Sequence, residues 1–241
     1  MYSMKGGVGK TTLAVSLAHA AATRSCRRTL LWDLDAQGGA TWILGAPGKS
    51  LAARAREVIE RDIDPAERIV QTAVPRLDLL GADASLRGLD ALFAELERKK
   101  RLRRLLDTLA ERYDRIILDC PPGLGPTSEQ VIRGVSLILV PVIPSTLSLR
   151  AAGEVRDYLH LNHKGKPPLL PLFNMVDKRR ALHRATLAEQ PDWPAIPMAS
   201  AVERMADEHA SVLAYAPRSA ASRAIADLWV TVERQLTRQE D

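Results

Sequence analysis

Residues 5–12 read Lys5-Gly6-Gly7-Val8-Gly9-Lys10-Thr11-Thr12, and the fold is decided there. A loop that cradles a polyphosphate needs glycines for close backbone approach and N–H groups that converge on the anion. It also needs one lysine for the β- and γ-phosphates and one hydroxyl for a magnesium ion. Lys10 and Thr11 have the types and spacing for those roles, and Gly6, Gly7, Val8, Gly9 and Thr12 complete the cradle. Lys5 is a second cation, and one such loop has no evident need of it. Downstream, Thr11 to Arg24 places Leu13, Leu17 and Ala20 or Ala21 at helical spacing. The phosphates would then sit on a helix N-terminus, where orphan N–H groups and the dipole favour anions.

Two strand ends supply carboxylates. Arg115-Ile116-Ile117-Leu118-Asp119 is an apolar strand closing on Asp119, followed by Cys120-Pro121-Pro122-Gly123. Thr29-Leu30-Leu31-Trp32-Asp33 is another, followed by Leu34-Asp35-Ala36-Gln37-Gly38-Gly39. Hydrolysis of a bound triphosphate needs a group that positions water in line with the γ-phosphate. By themselves such aspartates also suit helix caps or solvated turns.

The general phosphate-loop pattern, G-x-x-x-x-G-K-[ST], has glycine where this chain has Met4. Lys5 to Thr12 instead matches K-G-G-x-G-K-T-T in full, and so resembles the deviant Walker A motif of the ParA/MinD family. Asp119 to Gly123 resembles that family's Walker B strand end and switch loop. Asp33 to Gly38 resembles its first switch, D-x-D-x-Q-G, with Ala36 where proline is common and Gly39 where a polar residue is common. Phe173-Asn174-Met175-Val176-Asp177 and the stretch from Ile196-Pro197 to Arg218-Ser219 resemble it more loosely.

The resemblance implies ATP and Mg2+ as cofactors and an ATPase in which two ATP molecules are sandwiched in a symmetric homodimer. Lys5 would reach the partner's nucleotide, acting in trans as an arginine finger does. Lys5, Lys10 and Asp35 would form the catalytic group, with Asp35 orienting the attacking water. Thr11 and Asp119 would hold the Mg2+ shell, and Asp33 would support the ion or its waters. Asn174, near a strand's C-terminal end, would read the adenine edge.

The rest of the chain suits one α/β domain. Its 241 residues are 46% hydrophobic but only 4% aromatic, so Leu, Val, Ile and Ala must build the core. Ser136 to Val142 and Leu169 to Val176 are further strands, the latter with Pro171 marking an irregular or edge portion. Val74 to Leu80 and Trp193 to Pro197 are weaker ones. Helical patterns between them predict an α/β fold, a doubly wound, mostly parallel sheet flanked by helices on both faces. Only Met1-Tyr2-Ser3 precede Met4, whereas a phosphate loop hangs from a strand of roughly five residues. The first strand reads as truncated, or the start lies upstream. Leu89, Leu92, Phe93 and Leu96 form one stripe, and Leu102, Leu105, Leu106 and Leu109 another, out of phase with it. A break is expected near 97–101. There Arg98-Lys99-Lys100-Arg101, with Arg103 and Arg104, reads as a solvated helix face or a DNA contact.

Cys26 and Cys120 form no CxxC and no disulfide framework. The histidines form no metal pattern, and His160 and His163 read as a surface pair. No apolar run is long enough to span a bilayer and no signal peptide precedes the loop, so a soluble cytoplasmic protein is expected. Net charge is +5 with a pI near 9.4, compatible with a polyanionic partner.

Three functions fit. A ParA-like partition ATPase would bind DNA nonspecifically, with Arg179, Arg180, Arg184, Arg204, Arg218 and Arg223 as candidate phosphate contacts. By resemblance it would also have a separate DNA-binding partner protein that stimulates hydrolysis. A MinD-like ATPase would dock a basic amphipathic C-terminal helix on a membrane surface. Here the stripe Ala221, Ala224, Ile225, Leu228, Trp229, Val232 and Leu236 ends in Glu240-Asp241 and is expected to pack on the sheet instead. A positioning ATPase for a protein-complex cargo shares the motifs of the first. A non-catalytic dimeric adaptor is a fourth possibility, which intact Lys10, Asp35 and Asp119 argue against.

Overall fold

The computed structural model describes residues 1–45, 55–60, 64–95, 100–164 and 167–240. The chain begins with a short extended segment and the glycine loop, then helix α1 (Lys10–Arg24), strand β1 (Thr29–Asp33), α2 (Gly39–Leu44) and α3 (Ala55–Glu60). Next come β2 (Ile69–Gln71), β3 (Leu77–Leu80), α4 (Leu89–Glu95), α5 (Arg101–Ala110) and β4 (Arg115–Asp119). After α6 (Pro126–Gly134) follow β5 (Ile138–Val142), α7 (Thr146–His163), β6 (Leu169–Val176), α8 (Ala181–Glu189) and β7 (Ala195–Pro197). The chain closes with α9 (Ser200–Glu203), α10 (Val212–Tyr215) and α11 (Ala220–Glu240).

The strands form two sheets, ordered β2-β3-β1-β4 and β5-β6-β7. All pairings are parallel except β2 with β3. β1 is buried along its whole length, as a central parallel strand must be. Leu31 packs toward α1 and α11, while Leu30 and Trp32 pack toward α4 and α5 on the opposite face. Period-2 alternation thus builds a core on each side of one strand. The expected α/β architecture, with helices on both faces, is what forms.

Met1 and Tyr2 lie between the sheets. The Met1 amino group donates to the Leu118 carbonyl of β4 (2.7 Å), and the Tyr2 amide to the Leu139 carbonyl of β5 (3.0 Å). Beyond Met1, a cavity of about 430 Å³ opens between the facing edges of β4 and β5, lined by Ile116, Ile117, Ile138 and Leu139, with Trp229 and Leu236 of α11 beside it. The opening segment therefore bridges β4 and β5 through its backbone.

Several boundaries differ from the sequence reading. β3 starts at Leu77 because Arg76, after Pro75, turns with φ 66°. β2 had no alternating pattern to announce it. It is a three-residue edge strand, the one antiparallel strand among the described residues. Pro171 pairs with Val140 on one side, whereas β7 joins β6 only from Phe173 onward, so the first part of β6 does lie at an edge. Within the expected break, Lys100 is non-helical (φ -132°) and caps the start of α5; residues 96–99 lie outside the described residues. Arg101 is neither solvated nor free for DNA. It is 4% exposed, and its guanidinium donates to the Ile59 and Val58 carbonyls, capping α3. His163 is likewise not a surface group: Nε2 lies 2.9 Å from Glu129, which also accepts from the Tyr158 hydroxyl. The α11 stripe packs inward as expected, with Ala221, Ile225, Leu228, Trp229 and Val232 buried against α1 and β7.

Candidate phosphate-binding site

The loop turns on two left-handed glycines, Gly7 (φ 69°) and Gly9 (φ 83°), and Gly9 is the N-cap of α1. No side chain caps that helix, so its first N–H groups point into the loop, as an anion cradle requires. The two lysines face different ways. Lys10 is 7% exposed, and its ammonium donates to the Lys5 carbonyl (3.3 Å). Burial pulls its pKa down, opposed by Asp119 and Asp35 nearby. Lys5 is exposed, and its ammonium rests 3.4 Å from the Ser148 hydroxyl, which Ser145 also contacts (3.1 Å).

Asp33 and Asp119 are paired neighbours across β1 and β4. Asp33 is fully buried. One oxygen accepts from the Thr41 amide (2.9 Å) and hydroxyl (2.8 Å), the other from the Asp35 amide (3.1 Å). Burial, then the Asp119 charge, pushes its pKa up to about 7, against those three donors. The Thr41 hydroxyl in turn accepts from the Ala82 amide (2.8 Å), tying the loop after β1 to the loop after β3. Asp119 is raised by burial as well, with the Thr11 hydroxyl and Lys10 drawing it back. Both its carboxylate oxygens are buried, and the Thr11 hydroxyl stands near them without reaching hydrogen-bond geometry. An orphaned buried carboxylate beside a hydroxyl is the donor set a hard divalent cation takes. Thr11 and Asp119 therefore fit Mg2+, whereas the Asp33 oxygens are already engaged and fit a supporting role. Among the described residues, no group of three or more His, Cys, Asp or Glu could hold a metal. An ion here would complete its shell with phosphate oxygens and water. Asp35 is partly exposed, its carboxylate accepting from the Gln37 amide (3.0 Å).

The loop after Asp119 is tethered at Gly123 (φ 115°), whose carbonyl accepts from the Tyr2 and Ser128 hydroxyls, both at 2.8 Å. Asn174 is 5% exposed and donates to the Val8 carbonyl (2.8 Å). The predicted loop, the three aspartates and Asn174 thus gather at one place. The missed contributors are Tyr2, Thr41, Ser128 and Ser148. Hydroxyls of that kind are scattered along the chain with no motif, and only folding selects these.

The candidate DNA contacts divide. Arg179 is paired to Asp177 (2.9 Å), and Arg184 donates to the Lys178 and Arg179 carbonyls, so with Arg180 they share the β6–α8 turn. Arg223 donates to the Arg218 carbonyl (2.7 Å) at the start of α11. Arg204 pairs with Glu208 (3.4 Å) and lies over the Tyr215 ring (5.7 Å).

A phosphate cradle of this build, hung on a parallel sheet covered on both faces, defines a P-loop nucleotide-binding protein. The second lysine narrows the class, and the chain belongs to the ParA/MinD family of P-loop ATPases. A family model described as an AAA domain (AAA_31) matches residues 1–167. The chromosome partitioning protein ParA of Myxococcus xanthus is 32% identical over 192 residues, 78% of this chain and 68% of that one. The sporulation initiation inhibitor protein Soj of Bacillus subtilis is 32% identical over 163 residues, 67% of this chain. This chain covers 64% of Soj's length. The crystal structure of cobyrinic acid a,c-diamide synthase from Mycobacterium smegmatis, with bound ATP analogue and magnesium, has a TM-score of 0.80 at 28% identity, covering 97% of this chain and 92% of that one.

Proposed function

We propose that this chain is a cytoplasmic, single-domain ParA-like ATPase that dimerises around ATP, binds DNA nonspecifically as the dimer and acts in plasmid or chromosome partitioning. The observation that carries the reading is the opposite disposition of the two lysines. Lys10 is turned into the cradle, where it can meet the β- and γ-phosphates of its own nucleotide. Lys5 is exposed, and among the described residues its ammonium makes one long contact, to Ser148, a disposition that suits service to a second subunit's nucleotide. In that arrangement Asp35 orients the attacking water, and Lys5 of each subunit neutralises charge on the phosphoryl group leaving the other. Mg2+, held by Thr11 and Asp119, would supply charge neutralisation at the phosphates. Loss of the γ-phosphate then removes what holds the dimer, a switch of the order–release type. The names of the ParA and Soj relatives support a partition role, and so does the basic balance of the chain. A separate DNA-binding partner protein that stimulates hydrolysis belongs to the same proposal.

The alternative is a positioning ATPase for a membrane or protein-complex cargo. The apolar stripe of α11 is spent on the core, which speaks against lipid docking by that helix. No helix among the described residues is long and apolar enough to cross a membrane. The deciding experiment measures binding to nonspecific duplex DNA with ATP, with ADP and without nucleotide, beside Lys5→Ala, over a salt series, with phosphate release followed in parallel. Tight binding with ATP alone, lost in Lys5→Ala and weakening steeply with salt, is expected. Phosphate release without DNA binding in any state would move the assignment to a cargo other than DNA.

A further inference from the structure

Asn174 stands where a base reader would, but the geometry ties it to the phosphate loop. Its side-chain amide donates 2.8 Å to the Val8 carbonyl and is buried to 5% exposure. The approach to the next residue is closer still. A Cβ on Gly9 would lie 2.3 Å from Asn174 Nδ2, 3.2 Å from the Thr12 hydroxyl and 3.3 Å from Met175 Cε. Gly9 is therefore gripped from two sides. Thr12 holds its carbonyl (3.0 Å) from α1, and Asn174 and Met175 close on it from β6.

The backbone of β6 is bent to do this. In a regular strand, residues 174 and 175 would point to opposite faces. Here the pairing with β7 slips between Phe173 and Val176, and Met175 sits at φ 55°, a left-handed conformation that a long side chain avoids. Bulges and strained residues collect where a side chain must be re-aimed, and this one brings two consecutive side chains onto one glycine.

We infer that Asn174 is a positioning residue of the phosphate loop, a strut that fixes Val8 and Gly9 in the polyphosphate-binding conformation whatever base the nucleotide carries. This rests on the nucleotide-binding reading above. Its consequence differs from base recognition: losing the strut weakens every polyphosphate ligand alike, including one with no base.

The test uses the full chain and inorganic tripolyphosphate, with ATP and GTP alongside, all with Mg2+. In Asn174→Asp an acceptor of the same shape faces the Val8 carbonyl, and the hydrogen bond is lost while the carboxylate is ionised. Tripolyphosphate affinity is expected to fall about tenfold at about pH 8 relative to the unaltered protein, as loss of a buried hydrogen bond predicts. Toward pH 5.5 the carboxyl gains a proton and can donate again, so the deficit between the two proteins should shrink. Equal tripolyphosphate affinity at the higher pH, or a deficit that ignores pH, overturns the strut. A change confined to the ATP-to-GTP preference does the same and leaves a base reader only. If the unaltered protein binds neither ATP nor tripolyphosphate, the nucleotide reading itself has failed. Far-UV circular dichroism checks folding. Because Asn174→Asp also brings a negative charge to the anion site, the neutral Asn174→Ser, whose shorter hydroxyl cannot span the same gap, is measured beside it at the higher pH, and tripolyphosphate affinity equal to the unaltered protein's overturns the strut.

Discussion

Asp33 holds a charge balance that its hydrogen bonds alone do not reveal. Its carboxyl, pushed up to about 7 by burial and then by Asp119, sits far above the ordinary aspartate value of 3.8. Between those two pH values the nucleotide-free native protein holds a proton that the unfolded chain has released. The contribution to stability is therefore fully present below about pH 4, declines as pH rises and is gone above about pH 7, with a slope of up to about 1.4 kcal/mol per pH unit. Urea melts in EDTA across this window should show the unaltered protein losing stability more steeply than Asp33→Asn. Identical slopes would mean that the group titrates normally. Lys10 belongs to the same balance, since burial costs it charge while Asp119 and Asp35 restore it. A metal ion and phosphates brought into this pocket would change the field that both groups feel.

Among the elements, β4 and β5 face each other across a seam that the opening segment enters. Met1 and Tyr2 each place one backbone hydrogen bond there, and an apolar cavity lies beyond Met1 between the facing edges. Adding four or five alternating β-forming residues ahead of Met1, such as valine and isoleucine, should fill that space and raise the melting temperature by several degrees. The same length of glycine and serine is the control, and an equal effect from both would show that the cavity is not a strand slot. The sequence made the glycine loop visible through residue types at short spacing, and Asp33, Asp35 and Asp119 as carboxylates at strand ends whose roles the family resemblance implies. It did not reveal Arg101 capping α3 or His163 under Glu129, since charge patterning says nothing of which long-range carbonyl or carboxylate a side chain will meet. Nor did it reveal β2, which is stabilised by its pairing with β3 rather than by any pattern of its own.

Across the whole molecule, the excess positive charge is not evenly available. Arg184 and Arg223 spend part of their guanidinium groups on backbone carbonyls, and Arg179 faces Asp177. Arg180 and Arg218 are exposed neighbours of those anchored groups, one in each cluster. If the chain binds DNA with ATP as proposed, reversing both, as Arg180→Glu with Arg218→Glu, is expected to weaken that binding across all sequences. The salt slope should also flatten by about 0.9 for each DNA phosphate that is no longer neutralised, measured by fluorescence anisotropy on random duplexes. An unchanged slope would place the DNA surface elsewhere.

Tyr2 links these scales in one further way. Its amide is stitched to Leu139 in one sheet, while its hydroxyl, on a buried ring with two rotatable bonds, holds Gly123 in the loop that follows Asp119. Such a ring is a spoke of fixed length. When the Gly123 loop shifts by more than a hydrogen bond's reach, either the phenol lets go or the seam is dragged along, for the spoke has no slack to absorb the travel. The same residue that anchors the chain's opening segment therefore ties the Gly123 carbonyl to β5, so that neither can shift without loading the other.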